Sequence, residues 1–300
     1  MKFLLFFLSL VVFNFSAKAQ TGLLTSYFKD IRNEKNAPIP LSVWESANAN
    51  AVIAELAPFL SDSSEKVRSK SLAILKEIGL KSTNTAVRKK STNLIARHWS
   101  KEGMSVYTAL KQFAKKDFDK DTKDSLTHFL KKPYPMRSEL IRIIGFIGDN
   151  DDVENIRLFS TKENPSSVRW SSLLAMSRLG DTEAINSVLQ RARKLKVNDE
   201  LVRQLLPDLV YTRHKQAMDY LIEILKSDKP DCESADNDNP TPILCGYRVM
   251  EQLAPAIKDY PLELDASGDI KTKDYKKSLE SVRNWFLQNK GNYSINDSMF

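Results

Sequence analysis

The residues of this 300-residue chain that could support catalysis or metal binding are few and far apart. The histidines His98, His128 and His214 have no carboxylate or cysteine at the spacing of a metal-binding set. The acidic residues of 233–238 could offer oxygens to calcium, but the glycine and spacing of an EF-hand loop are missing. The phosphate-loop, dinucleotide, zinc-protease and serine-hydrolase motifs are also missing. We therefore expect no enzymatic activity, no cofactor and no metal site.

The two cysteines, Cys232 and Cys245, flank a polar loop without helical pattern. A disulfide between them would close a loop of fourteen residues, worth about 3 kcal/mol in the chain-entropy model. The alternative is a pair of unpaired thiols, with Cys245 in the core beside Ile243 and Leu244.

Positive charge is concentrated in one part of the chain. Residues 62–132 contain 17 Lys or Arg and 8 Asp or Glu, a net charge of +9, whereas the whole chain carries +7. A basic face of this kind could bind an anionic lipid, glycan, acidic protein or nucleic acid. The alternative, which we favour, is the solvated outer face of a helical stack. Few aromatic residues lie among the charges, which argues against nucleic acid.

The N-terminus has the pattern of a signal peptide. Lys2 precedes an apolar run over 3–15, and Ala17-Lys18-Ala19 has the small-x-small pattern of a cleavage site, which predicts Gln20 as the mature N-terminus. The apolar run is shorter than the roughly 20 residues that span a bilayer. We expect an exported protein, periplasmic or secreted, without a transmembrane span in the mature chain. The alternative is an uncleaved anchor.

The composition limits the elements that could position any site. Nine glycines in 300 residues are too few for a turn-dense β fold or a glycine-rich phosphate loop. A chain with 42% hydrophobic and 28% charged residues is neither disordered nor a multi-span membrane protein. Its length suits one elongated domain or two compact ones.

A hydrophobic residue followed by arginine opens five segments, which start at Val67-Arg68, Val87-Arg88, Met136-Arg137, Val168-Arg169 and Val202-Arg203. In the first and fourth, small or apolar residues recur at steps of four, three and four, which predicts one stripe on an α-helix. The last three openings lie 32 and 34 residues apart, the length of a helix pair. The step to Val87 is only 20 residues, so we interpret Thr85–Trp99 as a second helix and its opening as coincidental.

Glycine, aspartate and proline residues mark where these helices are expected to end or begin. Gly148 and Gly180 suit the left-handed position that ends a helix, and the aspartate after each can cap the next helix. Pro207 and Pro255 lie within helical patterns and are expected to kink or end them.

The segment 56–62, followed by Val67-Arg68, resembles the junction of HEAT repeats, and VRWSSLLAMSRLGDTEAI is similar to the short HEAT variety of phycobilisome-lyase-type proteins. The resemblance covers about residues 42–227. It implies an all-α, right-handed α-solenoid of stacked antiparallel helix pairs. It implies no shared catalytic residues. The alternative is an ordinary helical bundle.

The resemblance also implies a ladder of bonds between acidic residues and arginines of successive repeats. Asp62 with Arg68 fits this pattern, and Glu163 with Arg169 is a conservative version. Lys131 and Val197 occupy the corresponding positions before Met136-Arg137 and Val202-Arg203, so the ladder should be incomplete there.

We therefore predict a signal peptide at 1–19, a polar segment at 20–41, a repeat solenoid at 42–227 and a helical cap at 228–300. The expected function is a non-enzymatic scaffold that binds protein partners. The alternatives are a module for an anionic envelope lipid or glycan and, by fold analogy alone, a lyase-type enzyme. The predicted exposed binding face consists of Arg88, Lys89, Arg97, Arg191, Arg193 and Tyr220.

Overall fold

The computed structural model describes residues 22–234, 238, 240–289 and 291–300. The predicted signal peptide and Asp236 lie outside these residues. The described residues form α-helices, short 3₁₀ turns and three isolated β-bridges, with no named strand among them. This confirms the all-α class. The chain divides into two compact units, Met1–Pro135 and Met136–Phe300, and each is described by itself.

The described part of the first unit consists of helices joined by short turns, with a 3₁₀ turn before or after several of them. The helices are α1 Leu23–Arg32, α2 Ala49–Leu56, α3 Glu65–Lys81, α4 Thr85–Ala96, α5 Trp99–Leu110 and α6 Lys120–Leu130. Helices α3 and α4 pack against each other. Helix α1 lies in the segment predicted to be polar, and it buries Leu24, Tyr27, Phe28 and Ile31.

The second unit contains further α-helices in its described residues. They are α7 Arg137–Ile147, α8 Val153–Arg157, α9 Ser166–Arg178, α10 Thr182–Arg193, α11 Asp199–Gln204, α12 Leu206–Tyr211, α13 Lys215–Leu225, α14 Gly246–Leu253 and α15 Tyr275–Asn289. The helix is interrupted between α11 and α12, and Pro207 lies in the first turn of α12. Pro255 lies in a 3₁₀ turn after α14. Both prolines therefore interrupt helices as predicted, because proline lacks an amide hydrogen.

Three of the Val-Arg openings share one local structure. Val67, Val87 and Val168 are buried, and the serine four residues after each donates its hydroxyl hydrogen to the valine carbonyl, at 2.7, 2.9 and 2.9 Å. A serine bonded in this way can be buried without an unsatisfied hydroxyl.

The arginine of each opening anchors the preceding turn. Arg68, Arg88 and Arg169 donate to backbone carbonyl oxygens five to eight residues before them, at 2.7 to 3.0 Å for the best bond of each. The Val87-Arg88 opening, interpreted as coincidental, therefore has the same local bonds as those at Val67 and Val168, and its helix α4 packs against α3. Of the other two openings, Met136 precedes α7 with a left-handed φ of 62°, and Val202 is buried while Arg203 is exposed.

The predicted ladder takes a different form in the structure. The Asp62 carboxylate pairs with Arg32, while Arg68 donates to the Asp62 backbone carbonyl and pairs with Glu102 at 2.6 Å. Arg169 likewise donates to the Asn164 carbonyl instead of Glu163. The predicted pairing of these carboxylates was wrong, because Arg68 and Arg169 turn back to backbone oxygens.

Four of the ion pairs in the described residues join positions about one helix pair apart in sequence, whereas others, such as Arg142 to Asp208, join positions that are farther apart. Arg32 to Asp62, Arg68 to Glu102, Arg88 to Asp117 and Arg193 to Glu223 are separated by 30, 34, 29 and 30 residues. The spacing is that of the sequence repeat, although the partners differ from those predicted.

The two predicted helix-ending glycines differ in conformation. Gly180 has a φ of +95°, which a side chain would strain. Gly148 has a φ of −77°, so its predicted left-handed conformation was wrong. Glycine is needed at 148 because a Cβ atom would come within 2.6 Å of the Ile144 carbonyl oxygen and the Asp152 carboxylate.

The structure joins Cys232 and Cys245 by a disulfide, and both residues are buried. The backbones of Cys232 and Ile243 also exchange two hydrogen bonds, at 3.1 and 2.7 Å. We expect the double variant Cys232→Ser with Cys245→Ser to lose about 3 kcal/mol of unfolding free energy, because the unfolded loop gains entropy. Urea denaturation should show this loss, and adding reductant should weaken the wild type but leave the variant unchanged. A variant as stable as the oxidised wild type would contradict it.

The pKa of Asp62 is held below its ordinary value by the hydrogen bond from Arg32 and then by the Ser64 amide. The pKa of Asp62 is lower in the folded chain than in the unfolded chain, where an ordinary carboxyl pKa is about 4. The ionised carboxylate therefore stabilises the fold fully above that ordinary value, and this stabilisation is lost as the pH falls through the folded pKa. We expect the urea concentration at the unfolding midpoint to decrease as the pH is lowered from about 5 to about 2. In Asp62→Asn this decrease should be less steep. Asp121→Asn, at an exposed position of the same unit, should keep the wild-type slope. Equal slopes for wild type and Asp62→Asn would disprove this role.

Candidate functional site

A cavity of about 380 Å³ lies in the second unit between α9, α10 and α11. Helix α10 ends at Arg193, and a five-residue turn leads to Asn198, whose side chain caps α11 by accepting from the Leu201 amide at 3.1 Å. The interruption before Pro207 ends α11 after six residues. A turn followed by a short helix leaves open the space beside the longer helices α9 and α10.

One wall of the cavity is the indole ring of Trp170, which is held in place from two directions. Its N–H donates to the Asp208 carboxylate at 2.6 Å, and the second carboxylate oxygen pairs with Arg142 at 2.7 Å. The Arg191 guanidinium lies over the ring, 4.9 Å from its centroid. Because these contacts fix the ring, the cavity offers a rigid aromatic surface.

The rim of the cavity carries both signs of charge and an apolar side chain. Arg191 and Lys196 are exposed and basic, and Glu200 is exposed and acidic. Leu195 is 48% exposed, high for a large hydrophobic residue. Asn198 and Gln204 add amide groups to the lining. The lining can bind a ligand by stacking, hydrogen bonding and charge.

The predicted binding residues of the second unit have three different environments. Arg191 lines the cavity. Arg193 pairs with Glu223 through bonds of 3.0 and 3.2 Å and lies over the Tyr220 ring at 4.8 Å. Tyr220 is only 6% exposed, so its prediction as an exposed binding residue was wrong. Tyr220 lies on the buried side of α13, and burial raises the pKa of its hydroxyl.

The predicted binding residues of the first unit also differ from one another. Arg88 is half-buried and bound to Asp117, so it holds the fold together and was wrongly assigned to an exposed face. Lys89 is half-buried, and Arg97 is exposed.

The histidines occupy ordinary structural positions. His98 and His214 stand immediately before helices, and the His214 ring nitrogen accepts from the Gln216 amide at 3.3 Å. Burial lowers the pKa of His214. Among the residues that the structure describes, no three His, Cys, Asp or Glu side chains are grouped closely enough to hold a metal ion. Within the same residues, no helix is both long enough and apolar enough to cross a bilayer.

Sequence reasoning missed Trp170 and Asp208, which build the cavity wall. Their separation of 38 residues is close to the 32- and 34-residue repeat, which is the signal that could have paired them. No protein-family model and no curated protein matches the chain.

Proposed function

We propose that this chain is an exported, non-enzymatic scaffold that binds another protein, built as a right-handed α-solenoid of HEAT type. The Val-Arg openings with a common local structure support the repeat, as do ion pairs spaced about one helix pair apart. Stacked helix pairs supply extended surfaces for partners.

The observation that carries the proposal is the Trp170 wall under Arg191. Tryptophan and arginine contribute most of the energy at many protein interfaces when they lie in well-packed positions. The cavity has the volume of a small ligand pocket, which starts at about 300 Å³, and its rim combines Leu195 with charged and amide groups. A partner can insert one large side chain against the indole and bond its backbone to Asn198 and Gln204.

A photo-crosslinking amino acid at Leu195 tests this function. We expect one specific crosslinked protein in the cell envelope, and we expect Arg191→Glu to abolish that crosslink. Leu158 is the matched control, since it is 70% exposed in the same unit but does not line the cavity. With the purified partner, Arg191→Glu should weaken binding by about tenfold or more. The same crosslink from Leu158, or none from Leu195, would reject the proposal.

Exposed basic side chains of the first unit support a second candidate function, the binding of an anionic lipid or glycan. Within the described residues 62–132 seven exposed basic side chains have no carboxylate within ion-pair distance: Lys66, Lys70, Lys90, Arg97, Lys101, Lys116 and Lys131. Retention on vesicles that contain anionic lipid, lost on neutral vesicles and at high salt, would favour this candidate. Retention that ignores salt would exclude the electrostatic mechanism.

We also propose that the chain is exported and cleaved after Ala19. N-terminal sequencing of protein from the extracytoplasmic fraction tests this. We expect the mature chain to begin at Gln20. An intact Met1 on the exported protein would contradict cleavage.

A further inference from the structure

Residues 295–300 lie against the rest of the second unit with a bend at Ser298, where the Ser298 amide donates to the Asn296 side chain, and two arginines hold the segment there. Arg178 donates to the Asp297 carboxylate at 2.9 Å and to the Met299 carbonyl at 2.8 Å. Arg213 donates to the Asn296 carbonyl at 2.9 Å and to the Phe300 carbonyl at 3.2 Å. Both side chains therefore contact the backbone of the segment.

Aromatic rings form the rest of this site. The Phe300 ring lies 5.6 Å from the Phe146 ring, nearly perpendicular to it, and 5.2 Å from the Tyr211 ring. The Arg178 guanidinium lies over both Phe146 and Tyr211, at 4.8 and 5.0 Å from their centroids. The Phe300 ring thus packs against two aromatic rings over which the Arg178 guanidinium is stacked.

The segment also pairs with the backbone beside it. Ile295 forms a β-bridge with Ile257, and the Asn296 amide donates to the Ala256 carbonyl at 2.8 Å. The Lys258 amide donates to the Ser294 carbonyl at 2.9 Å. An extended peptide that adds to an exposed backbone edge is a recurring mode of peptide recognition.

The positions of Arg178 and Arg213 are unfavourable for the stability of the fold. The Arg178 side chain is 1% exposed and its Nε has no hydrogen-bond partner. Arg213 has a φ of +47°, where glycine is usual after a helix end. Burial and the nearby Arg178 charge lower the pKa of Arg213 to about 10. Two adjacent buried cations are unfavourable without an anionic partner, and the Asp297 carboxylate provides one.

We propose that Arg178, Arg213, Phe146 and Tyr211 form a binding site for a peptide segment that carries an acidic residue three positions before an aromatic one. Residues 297–300 fill this site within the chain, and a partner segment of the same chemistry can take their place. The proposal is independent of the cavity beside Trp170. The chain's own segment competes at a high effective concentration, since helix α15 tethers it nearby.

A fluorescent peptide of residues 292–300 tests the site on the full chain. In the variant Asp297→Ala with Phe300→Ala the internal copy is weakened, so fluorescence anisotropy should show saturable binding at least about tenfold tighter than to the wild type. A peptide with the same two alanines should bind about tenfold more weakly. Adding Arg178→Gln to the receiving chain should abolish binding of the unchanged peptide.

A folded double variant that does not bind the peptide would overturn the proposal, as would equal binding of the alanine peptide. If circular dichroism shows that the variant is unfolded, hydrogen exchange of the wild type replaces it. Excess peptide should then accelerate the exchange of amides 296–300, and unchanged exchange in saturating peptide would overturn the proposal. Neither outcome affects crosslinking at Leu195, so the two proposals can fail separately.

Discussion

Asp117→Ala is expected to lower the free energy of unfolding of the first unit by about 3–5 kcal/mol, the cost of removing one member of a buried ion pair. Asp117 is fully buried. Its two carboxylate oxygens accept from the Nε and Nη2 atoms of Arg88 at 2.8 and 2.5 Å. This paired geometry is the strongest that arginine forms with a carboxylate, and it raises the pKa of Arg88.

The loss extends beyond the pair because the Asp117 carboxylate has a further role. It accepts from the Ala114 amide at 3.0 Å and so closes a 3₁₀ turn. Arg88 remains anchored to the Leu80 carbonyl at 2.9 Å, so it cannot leave for solvent without breaking the turn after α3. Its charge would therefore stay half-buried without a counter-ion.

Urea denaturation followed by circular dichroism measures the loss, with Asp124→Ala as the matched control. Asp124 pairs with Lys120 at 2.6 Å in the same unit, but both side chains are more than half exposed, so its removal should change stability by less than about 1 kcal/mol. Asp117→Asn keeps the shape and removes the charge, and it should fall between wild type and alanine. Equal losses for Asp117→Ala and Asp124→Ala would show that burial of the first pair contributes nothing.

Local spacing predicted the helices well because it records which face each helix buries. The steps of four, three and four after Val67 and Val168 correspond to buried residues, and both prolines interrupt helices where expected. Helix α1 was missed although Leu24, Tyr27, Phe28 and Ile31 have the same helical spacing. Its polar surroundings concealed that stripe.

The partners of polar side chains could not be predicted in the same way, because they depend on which helices meet. Arg68, Arg88 and Arg169 bond to the turn immediately before them, which no family pattern indicated. Tyr220 has the sequence context of a surface residue, yet it lies on the buried side of α13. Trp170 with Asp208, and Arg178 with Asp297, are 38 and 119 residues apart. The separation of the first pair is close to the sequence repeat, whereas nothing in the sequence around Arg178 indicates Asp297 as its partner.

The packing of α7 against α9 gives the second large prediction, because it depends on a missing side chain. A Cβ atom on Gly145 would lie 2.5 Å from the Ala175 Cβ atom, 2.8 Å from its Cα atom and 2.7 Å from the Tyr211 hydroxyl oxygen. That hydroxyl donates to the Arg142 carbonyl at 2.7 Å, so Tyr211 cannot move without losing a hydrogen bond. The Ala175 backbone cannot move without shifting α9.

Gly145→Leu is therefore expected to cost about 3 kcal/mol, near the upper end of overpacking effects, even though leucine favours a helix more than glycine does. Ser187→Leu, which adds the same side chain at an exposed position of α10, should change stability by less than about 0.5 kcal/mol. Thermal or urea denaturation of the two variants compares these losses directly. A loss no greater at Gly145 than at Ser187 would show that the helices can separate freely.

A double-mutant cycle identifies the contact responsible. Gly145→Ala brings one methyl group into the Ala175 methyl group, and Ala175→Gly in the same chain removes that obstacle. The two changes together should therefore cost less than the sum of the single changes by about 1 kcal/mol, a coupling typical of residues in contact. The rescue should be partial, because the Ala175 Cα atom and the Tyr211 hydroxyl still obstruct the new methyl group. Strict additivity would mean that the clash is relieved by movement elsewhere, and that close approach of α7 and α9 does not require glycine.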